Sequence, residues 1–134
     1  MAALHTLDIK TAQREQFIDI TAEISALIKK SSVTEGVCHI YVPHTTAGVT
    51  INEGYDPSVI DDILMQLNKL VPHHGRYTHQ EGNSDAHIKT LLTGTGQTVL
   101  FTKGKLLLGT WQRIFFCEYD GPRQRQVIIK IYTE

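Results

Sequence analysis

Residues 110–119 read Thr110-Trp111-Gln112-Arg113-Ile114-Phe115-Phe116-Cys117-Glu118-Tyr119. Aromatic and β-branched side chains dominate this run and favour an extended strand. Alternate residues of a strand face opposite ways, so Trp111, Phe115 and Tyr119 share one face and Ile114 and Phe116 the other. A strand that is apolar on both faces needs a cover on each. Two covers fit the second face equally well: a helix of the same chain, or a neighbouring subunit.

The pattern extends outward from this strand in both directions. Downstream, Asp120-Gly121-Pro122-Arg123-Gln124 is a turn, and residues 126–132 form another β-rich run, so the two runs read as a hairpin. Upstream, Lys103-Gly104-Lys105 turns the chain between strands at 97–102 and 106–108. Earlier strands are expected at 4–9, 15–20, 37–43 and 49–52. Cys38, Ile40 and Val42 share one face of the third of these. Three helices complete the reading. The first is capped by Thr21 and carries Ile24, Leu27 and Ile28 on one face. The second starts at Asp56-Pro57, with Asp as N-cap and Pro in the first turn, and ends at Pro72. The third spans about 85–93 and stops at Gly94. Residues 73–84 form the longest irregular segment, and such segments in small domains often carry function. The order does not repeat as regular βαβ units, so the fold class is α+β: a single sandwich-like domain over residues 1–134, with mixed, mostly antiparallel strands.

Composition restricts the function classes. The chain has 134 residues, 41% hydrophobic and 20% charged, enough for one packed core. A formal net charge of −1 gives no basic footprint for nucleic acid or an anionic membrane surface. No apolar run approaches the ~20 residues that cross a bilayer, and the first residues lack a signal-peptide pattern. Cys38 and Cys117 each sit in an apolar run and read as buried free thiols of a cytoplasmic protein.

Seven histidines invite a metal reading, although HxH and HExxH are absent. His44, His79 and His87 fall in loops or at element ends. Three imidazoles with a fourth position open would suit catalytic zinc. The ordinary role of scattered histidines is to bond backbone or water. His39, inside a strand, reads as structural, and His5, His73 and His74 as exposed. Asn52-Glu53-Gly54-Tyr55-Asp56 supplies two carboxylates. Asp56 is explained as a helix cap, and Glu53 has no equal structural explanation. Thr45 and Thr46 sit in a small-residue loop that can present donors to an anion, although a plain loop is the simpler reading. Arg123 and Arg125 can clamp phosphate bidentately, or serve a solvated turn or an inter-subunit salt bridge. GxSxG, P-loop and GxGxxG motifs are absent.

Several of these runs, in this order, resemble the YjbQ-like family: His44-Thr45-Thr46-Ala47-Gly48, Asn52-Glu53, Asp56-Pro57, Tyr77-x-His79, Asn83, Ala86-His87-Ile88, Lys103-Gly104-Lys105-Leu106 and Gly109-Thr110-Trp111-Gln112 through Glu118. The resemblance spans about residues 4–133. It implies a homotrimer of α+β sandwich domains with a polar cleft near the subunit boundary. It further implies that His44, His79 and His87 gather there on a divalent ion, zinc or else magnesium, with Asn52, Glu53, Asp56 and Glu118 nearby. Glu53 or Glu118 would act as base or orient a ligand, and Thr45, Thr46, Arg123 and Arg125 would hold a substrate phosphate. The family label, secondary thiamine-phosphate synthase, implies joining a thiazole phosphate to a pyrimidine diphosphate with release of pyrophosphate. The non-catalytic counterpart is a trimeric module that binds a metal or a phosphorylated metabolite. Some relatives carry a longer insertion between the residues matching His79 and His87. The chain also lacks an Asp-rich cluster for a diphosphate–magnesium site.

Overall fold

The computed structural model describes residues 2–133; Met1 and Glu134, which the single-domain reading includes, lie outside the described residues. Eight strands and three helices follow in the order β1 (Ala2–Lys10), β2 (Gln16–Asp19), α1 (Thr21–Ser31), β3 (Gly36–Tyr41), β4 (Ala47–Glu53), α2 (Pro57–Leu70), α3 (Ser84–Thr93), β5 (Gly96–Thr102), β6 (Lys105–Leu106), β7 (Gln112–Glu118) and β8 (Gln124–Tyr132). They form a five-stranded sheet, β1-β8-β3-β5-β6, and a three-stranded sheet, β2-β7-β4, with antiparallel pairing throughout. The α+β sandwich read from the sequence is the observed fold.

The two sheets enclose the main core. Cys38, Ile40, Val99, Val127, Ile129 and Ile131 project from the larger sheet, and Val49, Ile114 and Phe116 from the smaller. Ile24 and Ile28 of α1 close one side of this core, as their spacing predicts. The opposite face of β7 builds a second core: Phe115, Cys117 and Tyr119 are buried with Ala86 of α3, and Ile60 and Leu67 of α2 pack on them. The cover on that face is therefore helices of the same chain. Trp111 stays outside, 61% exposed, with its ring edge-on to Tyr55.

The expected hairpin between residues 110–119 and 126–132 is not formed. β7 and β8 belong to different sheets. The turn between them bonds elsewhere: Tyr119 N–H to Thr46 O, Gly121 N–H to Arg14 O, and Thr11 N–H to Arg123 O. Neighbouring segments thus capture the polar backbone that a hairpin would have paired. Thr21 is not the cap of α1 either; it begins the helix, and its hydroxyl accepts the Ile114 amide instead. His5, expected on the surface, is half-buried on the inward side of β1, with a buried Nε2. Asp56 does cap α2, accepting from Ser58 N–H at 2.9 Å. Both cysteines are free and buried, and burial pushes the Cys38 thiol up to about 11.

Among the described residues no helix covers the outer face of the larger sheet. Tyr41, Leu100 and Leu4 lie there, each more than half exposed. His39 bridges Thr98 and Tyr132 across it, which gives it the structural role read from its strand position.

Candidate functional site

Three connections converge at one end of the sandwich: the β3–β4 loop, the entry to α3, and the β7–β8 turn. They enclose a polar cleft of about 510 Å³. Its making begins with Pro43. The β3–β8 register ends at Tyr41 opposite Ile128, and two further residues would set Pro43 against Gln126. Proline has no N–H to donate and the chain leaves the sheet. The imidazole of His44 fills the gap, with Nε2 accepting from Gln126 N–H at 2.9 Å. The neutral ring then carries its proton on Nδ1, as a donor. Burial, reinforced by the positive charge of Arg125, holds the His44 pKa below the ordinary histidine value. His44 is therefore neutral at pH 7 and presents an N–H.

Arg125 is fixed beside it. Its Nε donates to Glu118 Oε1 at 2.9 Å and its Nη2 to Glu118 Oε2 at 2.5 Å, while Nη2 also reaches Thr46 Oγ1 at 2.8 Å. Nη1 is not engaged by these bonds, and the residue lines the cleft. Glu118 is buried and saturated, accepting also from Thr11 Oγ1 and Asp120 N–H. Burial would raise its carboxyl, but the Arg125, Asp120 and Thr11 hydrogen bonds outweigh that and hold it below the usual range. An ionised carboxylate with both oxygens occupied cannot serve as a substrate base. Of the two roles read for Glu118, base or orienter, these bonds match the second: it holds Arg125 in place. Thr46 anchors the same guanidinium, so only the exposed Thr45 of that pair offers its hydroxyl to the cleft.

On the facing wall, Arg123 is half exposed and donates to Asp120 O and Asp120 Oδ2, both at 2.7 Å. Asn83 Nδ2 donates to the same carboxylate at 2.8 Å. This bond turns the Asn83 side chain away from the helix-capping role that asparagine usually takes at such a position. His87, one turn into α3, lines this cleft and also an adjoining cavity of about 580 Å³ with His79 and Tyr77.

The carboxylates of the other proposed cluster lie elsewhere. Ala47 pairs with Glu118 at the cleft end of β4, and Glu53 pairs with Gln112 at the opposite end. Six residue steps of strand put Glu53 about 20 Å away along the sheet. Glu53 has a structural role that the sequence did not disclose: its Oε2 accepts from both Tyr55 N–H and Asp56 N–H, at 2.9 Å each. Asn52 Oδ1 accepts from Glu53 N–H, and Asp56 caps α2. Asn52, Glu53 and Asp56 thus build a turn, and none of them lines the cleft of their own chain.

The imidazoles implied as zinc ligands are brought together in pairs. The rings of His79 and His87 meet edge to face at 5.6 Å, while His44 shares the first cleft with His87. The His44 lone pair that would bind metal is taken by Gln126. Among the described residues no group of three or more His, Cys, Asp or Glu is placed to hold a metal ion. The donor set within one chain does not fit a three-imidazole site. Asn83 and Asp120 are cleft residues that spacing alone did not single out; Asn83 was visible only through the family resemblance.

A family model described as UPF0047 protein YjbQ-like matches residues 5–134. The chain belongs to this family. UPF0047 protein MJ1081 of Methanocaldococcus jannaschii is 55% identical over 128 residues, covering 96% of this chain and 93% of that one. UPF0047 protein YugU of Bacillus subtilis is 48% identical, covering 96% and 98%. Among solved structures, a YjbQ/UPF0047 protein from Clostridium acetobutylicum superposes with a TM-score of 0.94 at 49% identity, covering 96% of this chain and 99% of its own. A YbjQ-like protein from Sulfolobus solfataricus reaches 0.95 at 30% identity, covering 100% and 99%. The two solved structures share the whole fold, and all four relatives match over nearly the whole length.

Proposed function

We propose that this chain binds a phosphorylated small molecule in the polar cleft and acts on it there. One observation carries the reading: His44 and Arg125 both line the cleft and are each locked by bonds at one edge, which leaves His44 Nδ1–H and Arg125 Nη1 outside those bonds. Donors fixed before binding lose little freedom on binding, and a phosphate oxygen is their natural acceptor. Arg123 and Thr45 add a guanidinium and a hydroxyl at the rim. His87 also lines the cleft, and an imidazole there can move a proton. The thiamine-phosphate synthase reaction is one case of this class, since both of its reactants carry phosphate.

The uncovered outer face of the larger sheet supports a homotrimer as part of the same reading. Tyr41 lies on that face and also lines the cleft, so packing there would bring a second subunit to its edge. Two buried free thiols suit a reducing cytoplasm, and no helix among the described residues is long and apolar enough to cross a membrane.

The test is a thermal-shift and turnover screen with phosphomonoesters, pyrophosphate and the two thiamine-phosphate precursors. A ligand of the native state must raise the melting temperature. We expect phosphomonoesters to do so and His44→Ala to abolish the shift. Stabilisation with no turnover would leave a binding module. No stabilisation by any phosphorylated compound would overturn the reading.

A further inference from the structure

At the opposite end of the larger sheet a groove of about 510 Å³ runs between α1 and the β5–β6 turn. Val33, Leu106 and Leu108 form its floor, each half-buried and packed against the main core. Lys29, Lys103 and Lys105 stand exposed on its rim. None of these lysines forms an ion pair among the described residues, and no acidic residue lines the groove. Of the acids close by in sequence, Glu35 accepts from the Thr102 hydroxyl at 3.0 Å, Asp19 pairs with Arg113 at 2.7 Å, and Glu23 is exposed on α1 but does not line the groove.

The backbone points to the same place. Lys103 and Gly104 form the two-residue turn between Thr102 and Lys105, with φ of 53° and 72°. Positive φ at both central positions is the type I′ geometry, in which Asn, Asp or Gly fits the first position and lysine is strained. Ser32, the C-cap of α1, is the other non-glycine residue with positive φ among the described residues, and it lines the same groove. Strain of this kind concentrates at ligand clamps.

We propose that this groove is a second binding site, for an organic anion with an apolar tail: a medium-chain carboxylate or alkyl phosphate. The tail lies on Val33, Leu106 and Leu108, and the head sits among three ammonium groups that have no partner of their own. Removing the tail from water supplies affinity, and the lysines select for charge. The site is separate from the phosphate cleft, and its existence does not depend on what that cleft binds.

The experiment is a methyl NMR titration of the full chain with decanoate, decyl phosphate, 1-decanol, inorganic phosphate and a tetraglutamate peptide. Decanoate or decyl phosphate shifts the Val33, Leu106 and Leu108 methyls, and the tighter of the two identifies the head group. The remaining probes bind at least tenfold more weakly, each lacking either charge or tail. Lys103→Gln with Lys105→Gln weakens the anion at least tenfold, and Lys103→Asn weakens it about threefold while raising the melting temperature, because asparagine relieves the turn. The proposal is overturned by unmoved methyls, by tetraglutamate binding as tightly as decanoate, or by a Lys103→Asn variant that is stabilised yet binds unchanged.

Discussion

Behind α3, Lys89 is fully buried and its ammonium is shared by Glu15, Asp85 and Asn68 at 2.9, 3.1 and 2.6 Å. Asp85, also fully buried, takes a bidentate pair from Arg14 at 3.0 and 3.2 Å. Every ammonium proton has a partner, and Lys89 and Asp85 lie sealed between the helices and the β1–β2 link, with Arg14 and Glu15 at the partly exposed edge of the network. The Glu118–Arg125 pair, similarly buried, engages only Nε and Nη2 of its guanidinium and leaves Nη1 without a bond on a residue that lines the cleft. The two networks share their chemistry and differ in completion. A saturated ion network holds elements together, whereas an unsaturated one of similar burial aims a donor at something the chain does not supply.

The largest expected effect tests the sealed network. Lys89→Met strands buried carboxylates and should cost about 3–5 kcal/mol, read as a lower denaturant midpoint, while any folded fraction keeps its affinity for phosphomonoesters. Glu118→Gln should cost about 3 kcal/mol and in addition weaken phosphomonoester binding at least tenfold, because Arg125 loses its anchor. Equal affinity in the two variants would erase the distinction. Gly121→Ala comes next: a Cβ there would stand 2.3 Å from Gln13 O and 2.9 Å from Glu118 Cγ, against backbone and the cleft's anchor. About 1–3 kcal/mol of destabilisation is expected by thermal melting.

Acid touches both networks together. For Asp85, burial alone would raise the carboxyl, but the Arg14 and Lys89 hydrogen bonds outweigh it and hold its pKa below the ordinary value, as Arg125 does for Glu118. A folded-state pKa below the unfolded one stabilises fully above the unfolded value, about 4, and that contribution is lost as pH falls through the folded value. The denaturant midpoint should therefore hold down to about pH 4 and fall below it, and Asp85→Asn should flatten part of that slope. An unchanged slope in the variant would count against the assignment. The smallest effect is at the far end of β4, where Glu53→Gln should cost about 0.5–1 kcal/mol through its turn and leave phosphomonoester affinity unchanged.

Much of the fold was legible because its signals are local. Period-two alternation marked β3 and β7, Asp56-Pro57 marked α2, and Ile24 and Ile28 marked the buried side of α1. The false hairpin arose because the turn at 120–124 looks the same whether its strands pair together or join different sheets; only distant partners such as Thr46 and Arg14 decide. The site was legible in part. His44, Thr45, His87, Arg123 and Arg125 meet at one cleft, while Glu53 and Asp56 drew attention for their charge but serve the backbone of a turn. No periodicity reports that the His44 lone pair is taken by Gln126, because Pro43 creates that vacancy through a register 82 residues away in sequence.

The most direct test of the central claim is an amide NMR titration with a simple phosphomonoester such as glycerol phosphate. The account predicts concerted, saturable shifts of the Gln126, Asp120, Asn83 and Thr45 amides, lost in His44→Ala. Shifts confined to residues 52–56, or no saturable shift at all, would contradict it.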